Sequence, residues 1–192
     1  MPERVVTTVE SEEAANFKSF GVKTGLCKML TGCEERRYSA AEEYCSDIAA
    51  KAAECAIADA GISRDEIDAV IFCSVSHDFV EPATVNVVMD LLNIHHAFGF
   101  DIKNACNAFL SGMDIADSFI KTGKANTVLV VSGEALSKWV SYQFESKEDL
   151  VQRAPVTLSI GDGGGAIILR ATEEPDVGIL KGIFETFPQY WN

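Results

Sequence analysis

The chain has 192 residues, 47% of them hydrophobic, enough for one domain with a sizeable core. Its net charge of −13 disfavours a nucleic-acid ligand, because phosphate binding needs clustered Lys and Arg. No apolar run approaches the length of a membrane span and no signal peptide opens the chain, so the sequence predicts a cytoplasmic protein without a membrane span.

Ser11–Phe20 reads as a short helix, and Gly21–Gly32 as a loop or broken helix. Ser39 is expected to open the clearest helix, with Ser39 and Glu42 as a capping box. Ile48, Ala49, Ala52, Cys55, Ala56 and Ala60 then form a narrow apolar stripe that ends at Gly61. Asp68–Val75 reads as a buried strand. Ala83–Asn93 reads as a helix with Val87, Val88, Leu91 and Leu92 inward. Ala97–Ile102 is a short buried strand. From Cys106 the period changes, and Phe109, Leu110, Met113, Ala116, Phe119 and Ile120 recur at helical spacing before Gly123. Thr127–Ser132 is the next strand. This alternation predicts an α/β fold with a mainly parallel sheet and crossover helices. Glu134–Pro155 reads as a lid or dimer-contact excursion, and Val177–Phe187 as a last apolar strand.

The chemistry points to the turn before the 106–123 helix. A thiol there sits against unpaired backbone N–H groups and the positive end of the helix dipole. Both favour the thiolate, which is the nucleophile. The same residue type is also common as a small buried core side chain. The six cysteines (Cys27, Cys33, Cys45, Cys55, Cys73, Cys106) form no C-x-x-C pair, which argues against a zinc or redox motif, and reduced thiols are expected. Gly161–Gly165 could suggest a phosphate cradle. It lacks the lysine and Ser/Thr of a P-loop, and glycines between strands also allow tight turns and close packing. His95 and His96 read as surface residues and His77 as structural. Lys18, Lys23, Lys28, Arg36 and Arg37 are the one basic concentration early in the chain, either a docking patch or a solvated face.

Asp101–Phe109, with Cys106 within it, resembles the active-site elbow of the thiolase superfamily, closest to the ketoacyl-acyl-carrier-protein synthase III branch. Thr31–Tyr38 is similar to that branch's T-G-I-x-x-R segment, Asp59–Asp68 to its D-A-G-I-x-x-x-E-I-D, and Ser159–Ala166 to its F-G-D-G-A-G-A. The resemblance implies two similar halves in an α-β-α-β-α body, of which residues 1–192 look like the first half, with the first strand missing. The second half would supply the catalytic histidine and asparagine. A chain of this kind is then expected to be a fragment, a partner of a separate second-half chain, or a degenerate protein. The implied activity is acyl transfer to Cys106, then Claisen condensation with a second acyl thioester, in fatty acid or related lipid or polyketide biosynthesis. Acyl-coenzyme A or acyl carrier protein would be substrates, and no resident cofactor or metal is implied. The resemblance also suggests a homodimer, with antiparallel pairing in the region of the 127–132 strand.

Two departures bear on substrate. Leu26 and Leu30 stand where the branch commonly has a tryptophan and an arginine for coenzyme A. Glu81, before Pro82, stands where the branch has a phenylalanine; Asp78–Thr84 is similar to the olefin-biosynthesis thiolases, in which a glutamate of the partner subunit assists as base. A carboxylate entering an apolar channel would have a raised pKa and act as base near neutral pH. The other reading of Glu81 is a solvated rim residue. At the level of the whole protein, the rivals to condensation are a non-catalytic scaffold subunit and an acyltransferase that stops at the acyl-enzyme.

Overall fold

A computed structural model describes residues 1–190. The chain opens with a short antiparallel pair, β1 (Arg4–Thr7) against β2 (Glu35–Tyr38), with Arg4 opposite Tyr38. Between these strands lie α1 (Thr8–Ala14) and α2 (Leu26–Thr31). Thr7 and Glu10 cap α1 reciprocally, the Glu10 carboxylate accepting the Thr7 N–H at 2.7 Å. The helix expected over Ser11–Phe20 therefore starts earlier and breaks at Asn16, whose φ of +53° turns the chain into a 3-10 turn at Phe17–Phe20. The buried Glu12 carboxylate accepts the N–H groups of Gly25 and Cys27 and so fixes the start of α2.

The main body follows: α3 (Cys45–Ala60), β3 (Ala69–Cys73), α4 (Thr84–Leu91), β4 (Phe98–Ile102), α5 (Ala108–Lys121), β5 (Thr127–Glu134), α6 (Lys147–Thr157) and β6 (Gly163–Arg170). The sheet order is β4-β3-β5-β6. β3 pairs parallel with both β4 and β5, and β6 runs antiparallel to β5. Strand alternation divides the core. Val70, Phe72, Leu129 and Val131 face α3 and α4; Ala69, Ile71, Cys73, Val128 and Val130 face α5. Helices thus cover both faces of a mostly parallel sheet, as the α/β expectation of a mainly parallel sheet with crossover helices requires.

Several expectations are corrected. Ser39 caps no helix: its N–H and Oγ both donate to Asp162, and α3 starts six residues later with Asp47 accepting the Tyr44 N–H at 2.8 Å. The buried face of α3 is Ile48, Ala49, Ala53 and Ile57, whereas Cys55 and Ala60 face outward. Alanine spacing alone could not fix which stripe turns inward. α4 buries Val85 and Val88, with Leu92 just beyond its end, and exposes Leu91. β4 is half-buried, because it is an edge strand. β5 has both sides occupied, by β3 and β6, so it cannot pair across a subunit boundary as expected.

The 134–155 excursion is partly internal. Leu150 and Ala154 of α6 close a small core over Ala15, Phe17 and Cys27, with Tyr142 and Phe144 against it. The glycine cluster runs from the approach to β6 into the strand: Gly161 precedes it, Gly163–Gly165 open it, and a Cβ on Gly164 would come 2.9 Å from Ile48, where α3 crosses the strand. Val177–Phe187 forms no strand, and Leu180, Ile183 and Phe187 are exposed. Among the described residues no helix is long and apolar enough to cross a membrane.

Candidate active site

Parallel β3 and β4 end on the same side of the sheet, and each runs into one of the two segments singled out by sequence. After β4, residues Lys103–Asn107 turn the chain into α5. Ala105 takes a φ of +46°, a conformation that side-chain-bearing residues adopt at a cost. The turn is closed by the Asn107 N–H donating to Asn104 O and the Ala108 N–H to Ala105 O, each at 3.1 Å. Cys106 sits on this turn, exposed, at the start of the 14-residue α5, whose first turn carries no side-chain cap. The arrangement leaves positive helix-end potential beside the thiol. Gly112 seats the helix, since a Cβ there would fall 2.4 Å from Cys73 Sγ. This close approach at Gly112 was not read from the sequence.

After β3, residues 74–83 form the second segment. Its base is fixed by the Glu134 carboxylate, which accepts the N–H groups of Val75 and Ser76 at 2.7 and 3.0 Å and the Ser76 hydroxyl at 2.6 Å. Asp78 accepts the Cys45 N–H at 3.1 Å and the Cys45 thiol at 2.8 Å. Glu81 projects from the tip, exposed, with Val80 fully so. Between the two segments lies an open cleft of about 460 Å³, bordered by His77, Asp78, Phe79, Asp101, Lys103 and Trp139. Within one chain no hydrogen bond or ion pair joins Glu81 to Cys106 among the described residues.

The other thiols have different environments. Burial pushes the Cys27 thiol up to about 12, with Glu12 adding to the effect. Burial, then the Asp101 carboxylate, pushes Cys73 up to about 12. Burial raises Cys45 as well, and its hydrogen bond to Asp78 reinforces this. None of the described histidines hydrogen-bonds Cys106. His77, which borders the cleft, lies against Asp101, 3.3 Å from Nδ1 to Oδ2. Among the described residues no three His, Cys, Asp or Glu side chains converge as a metal site would require.

The basic concentration disperses in the fold. Lys28 pairs with Glu34 at 2.8 Å. Arg36 is buried on Val6 O, Ser11 and Thr8, and Arg37 donates to Pro2 O. Asp162 stands out in the sequence only as part of the glycine motif, yet it accepts hydrogen bonds from both Ser39 and Ser137.

Comparison with known proteins gives a consistent result. Residues 100–186 match the family model for 3-oxoacyl-[acyl-carrier-protein (ACP)] synthase III. The beta-ketoacyl-[acyl-carrier-protein] synthase III of Ehrlichia canis is 36% identical over 151 residues, 79% of this chain and 44% of that protein. That of Granulibacter bethesdensis is 34% identical over 178 residues, 91% of this chain and 52% of that protein. Among solved structures, Xanthomonas campestris OleA with bound lauric acid and lauroyl-CoA superposes with a TM-score of 0.79 at 30% identity, covering 87% of this chain and 52% of that one. The chain spans about half the length of the curated relatives it matches.

Proposed function

We propose that this chain, a relative of the synthase III branch of the thiolase superfamily, carries the nucleophile of an acyl-condensing enzyme. One observation carries the reading: Cys106 is an exposed thiol that follows the left-handed Ala105 in the turn between a parallel strand and an uncapped helix N-terminus. Its sulfur attacks the carbonyl carbon of an acyl thioester. A Cys106 Sγ–acyl bond forms, the thioester C–S bond breaks, and the carrier thiol leaves with the proton. In the second step the α-carbon of another acyl thioester loses a proton to a base, attacks the acyl carbon and releases Cys106. Glu81 of a second subunit is the proposed base, in keeping with the similarity to OleA.

The substrates are acyl thioesters of coenzyme A or of an acyl carrier protein, and no resident cofactor takes part. The setting is cytoplasmic lipid synthesis. The assembly is a homodimer or a pairing with a second-half chain. β4 is the proposed pairing strand, because it has a free edge beside the site and β5 does not. The domain reading, a thiolase-like first half over 1–192, belongs to the same proposal.

A second reading, a non-catalytic subunit of a condensing complex, is favoured by the lack of a histidine hydrogen-bonded to Cys106 among the described residues. Incubation with lauroyl-coenzyme A separates the two. Peptide mass spectrometry should find the lauroyl mass on Cys106 and none in Cys106→Ser. A folded chain that takes up no acyl group would support the scaffold.

A further inference from the structure

We propose that Asp101 is a positioning residue that fixes the Glu81 loop from the strand leading into Cys106. The proposal rests on the reading of Glu81 as the base. The loop between β3 and α4 has a free tip, where Phe79, Val80, Glu81 and Pro82 are exposed. Both of its ends are held, and one carboxylate touches both. At the leading end, His77 Nδ1 is buried 3.3 Å from Asp101 Oδ2, within ion-pair reach but out of hydrogen-bond alignment. Its ring meets Phe72 edge-on, with centroids 5.6 Å apart. At the trailing end, Asp101 Oδ2 accepts the Thr84 N–H at 2.7 Å and Oδ1 accepts the Val85 N–H at 2.8 Å.

The need for Asp101 follows from the sequence at the start of α4. The N-cap residue is Ala83, which has no side-chain acceptor. Asp101 supplies that acceptor from another strand, and its negative charge suits the helix N-terminus. Asp78 ties the two ends together, its N–H donating to the buried Thr84 hydroxyl at 3.2 Å. The result is a loop rigid at its base and free at its tip, a form suited to presenting Glu81 to another surface. Asp101 lies on β4, five residues before Cys106, so the same strand sets the loop and the nucleophile turn.

Hydrogen exchange read by mass spectrometry on the full chain tests this. Asp101→Ala should speed exchange over residues 77–85 about tenfold or more, the scale expected for losing two charge-assisted hydrogen bonds, while β5 keeps its rate. Asp101→Asn retains one carbonyl acceptor and should recover part of the protection. Unchanged exchange at 77–85 overturns the proposal. So does equal acceleration through the whole sheet, which would make Asp101 a general stability residue. Glu81→Gln should leave the exchange pattern intact. A failure of the base reading would therefore show in condensation assays, and a failure of the clamp in exchange.

Discussion

Asp162 Oδ2 accepts both the amide and the hydroxyl of Ser39, at 2.7 and 2.8 Å. The same carboxylate accepts the amide and hydroxyl of Ser137, at 2.7 and 2.5 Å, and its own N–H donates to Arg37 O. One buried carboxylate therefore holds the ends of β2 and β5 to the start of β6. Asp162→Ala should cost about 2 kcal/mol or more, since it leaves four partly buried donors without their charged acceptor. Asp162→Asn should cost less, and Ser39→Ala about 1 kcal/mol. Urea unfolding of the three variants checks the order; an Asp162→Ala variant as stable as the parent would refute the pin.

That relationship also shows where the sequence is readable and where it is not. Ser39 followed by Glu42 looks like a capping box, because the local pattern is right. A carboxylate more than a hundred residues away competes for Ser39 and wins with two charge-assisted bonds. Strands β3 and β5 and helix α5 were legible because their apolar periods are long and uninterrupted. The Cys106 turn was legible because the period changes at one residue. Asp101 was not: its partners, His77, Thr84 and Val85, come together only through parallel pairing of β3 and β4. The inward stripe of α3 is not legible in the sequence, because alanines are spread around the helix and carry little directional signal.

Thiol reactivity should follow the geometry. Cys27, Cys45 and Cys73 are buried, and their thiols are all held in the protonated form by burial. Cys55 is exposed but lies in the body of α3, away from a helix start. Limiting iodoacetamide at neutral pH should label Cys106 first, and the three buried thiols only after denaturation. Peptide mapping that finds Cys55 or Cys33 labelled ahead of Cys106 would contradict the nucleophile assignment.

The buried thiols also predict an alkaline limit to stability. Cys27 and Cys73 are pushed up to about 12 in the fold, from an ordinary value of 9.0. Between those values the folded chain holds protons that the unfolded chain releases. Their contribution is therefore full below about pH 9 and declines as pH rises toward 12. Each thiol should add a slope of about 1.4 kcal/mol per pH unit in that window. Cys73→Ala should be less stable at pH 8 yet lose stability more slowly from pH 9 to 10. Parallel curves for the two proteins in urea titrations would show that Cys73 keeps no raised value.

The base role proposed for Glu81 is the one that depends most on a partner. The residue stands exposed at the tip of a loop whose base is fixed by Glu134, Asp78 and Asp101. In the isolated chain it has no hydrogen bond to Cys106, so a role at that sulfur requires a second subunit. Removing a general base commonly costs about a hundredfold or more in rate. In an assembly competent for condensation, Glu81→Gln should leave lauroyl transfer to Cys106 unchanged and slow the carbon–carbon bond-forming step by about that factor. Glu81→Asp shortens the side chain by one methylene and keeps the carboxylate, and it should retain part of the rate. Mixed assemblies sharpen the test. Combining Glu81→Gln with Cys106→Ser subunits should restore one working site, because each site would draw its nucleophile from one chain and its base from the other. If the mixture stays inactive while single-turnover acylation persists, Glu81 does not act across the interface, and the solvated-rim reading stands.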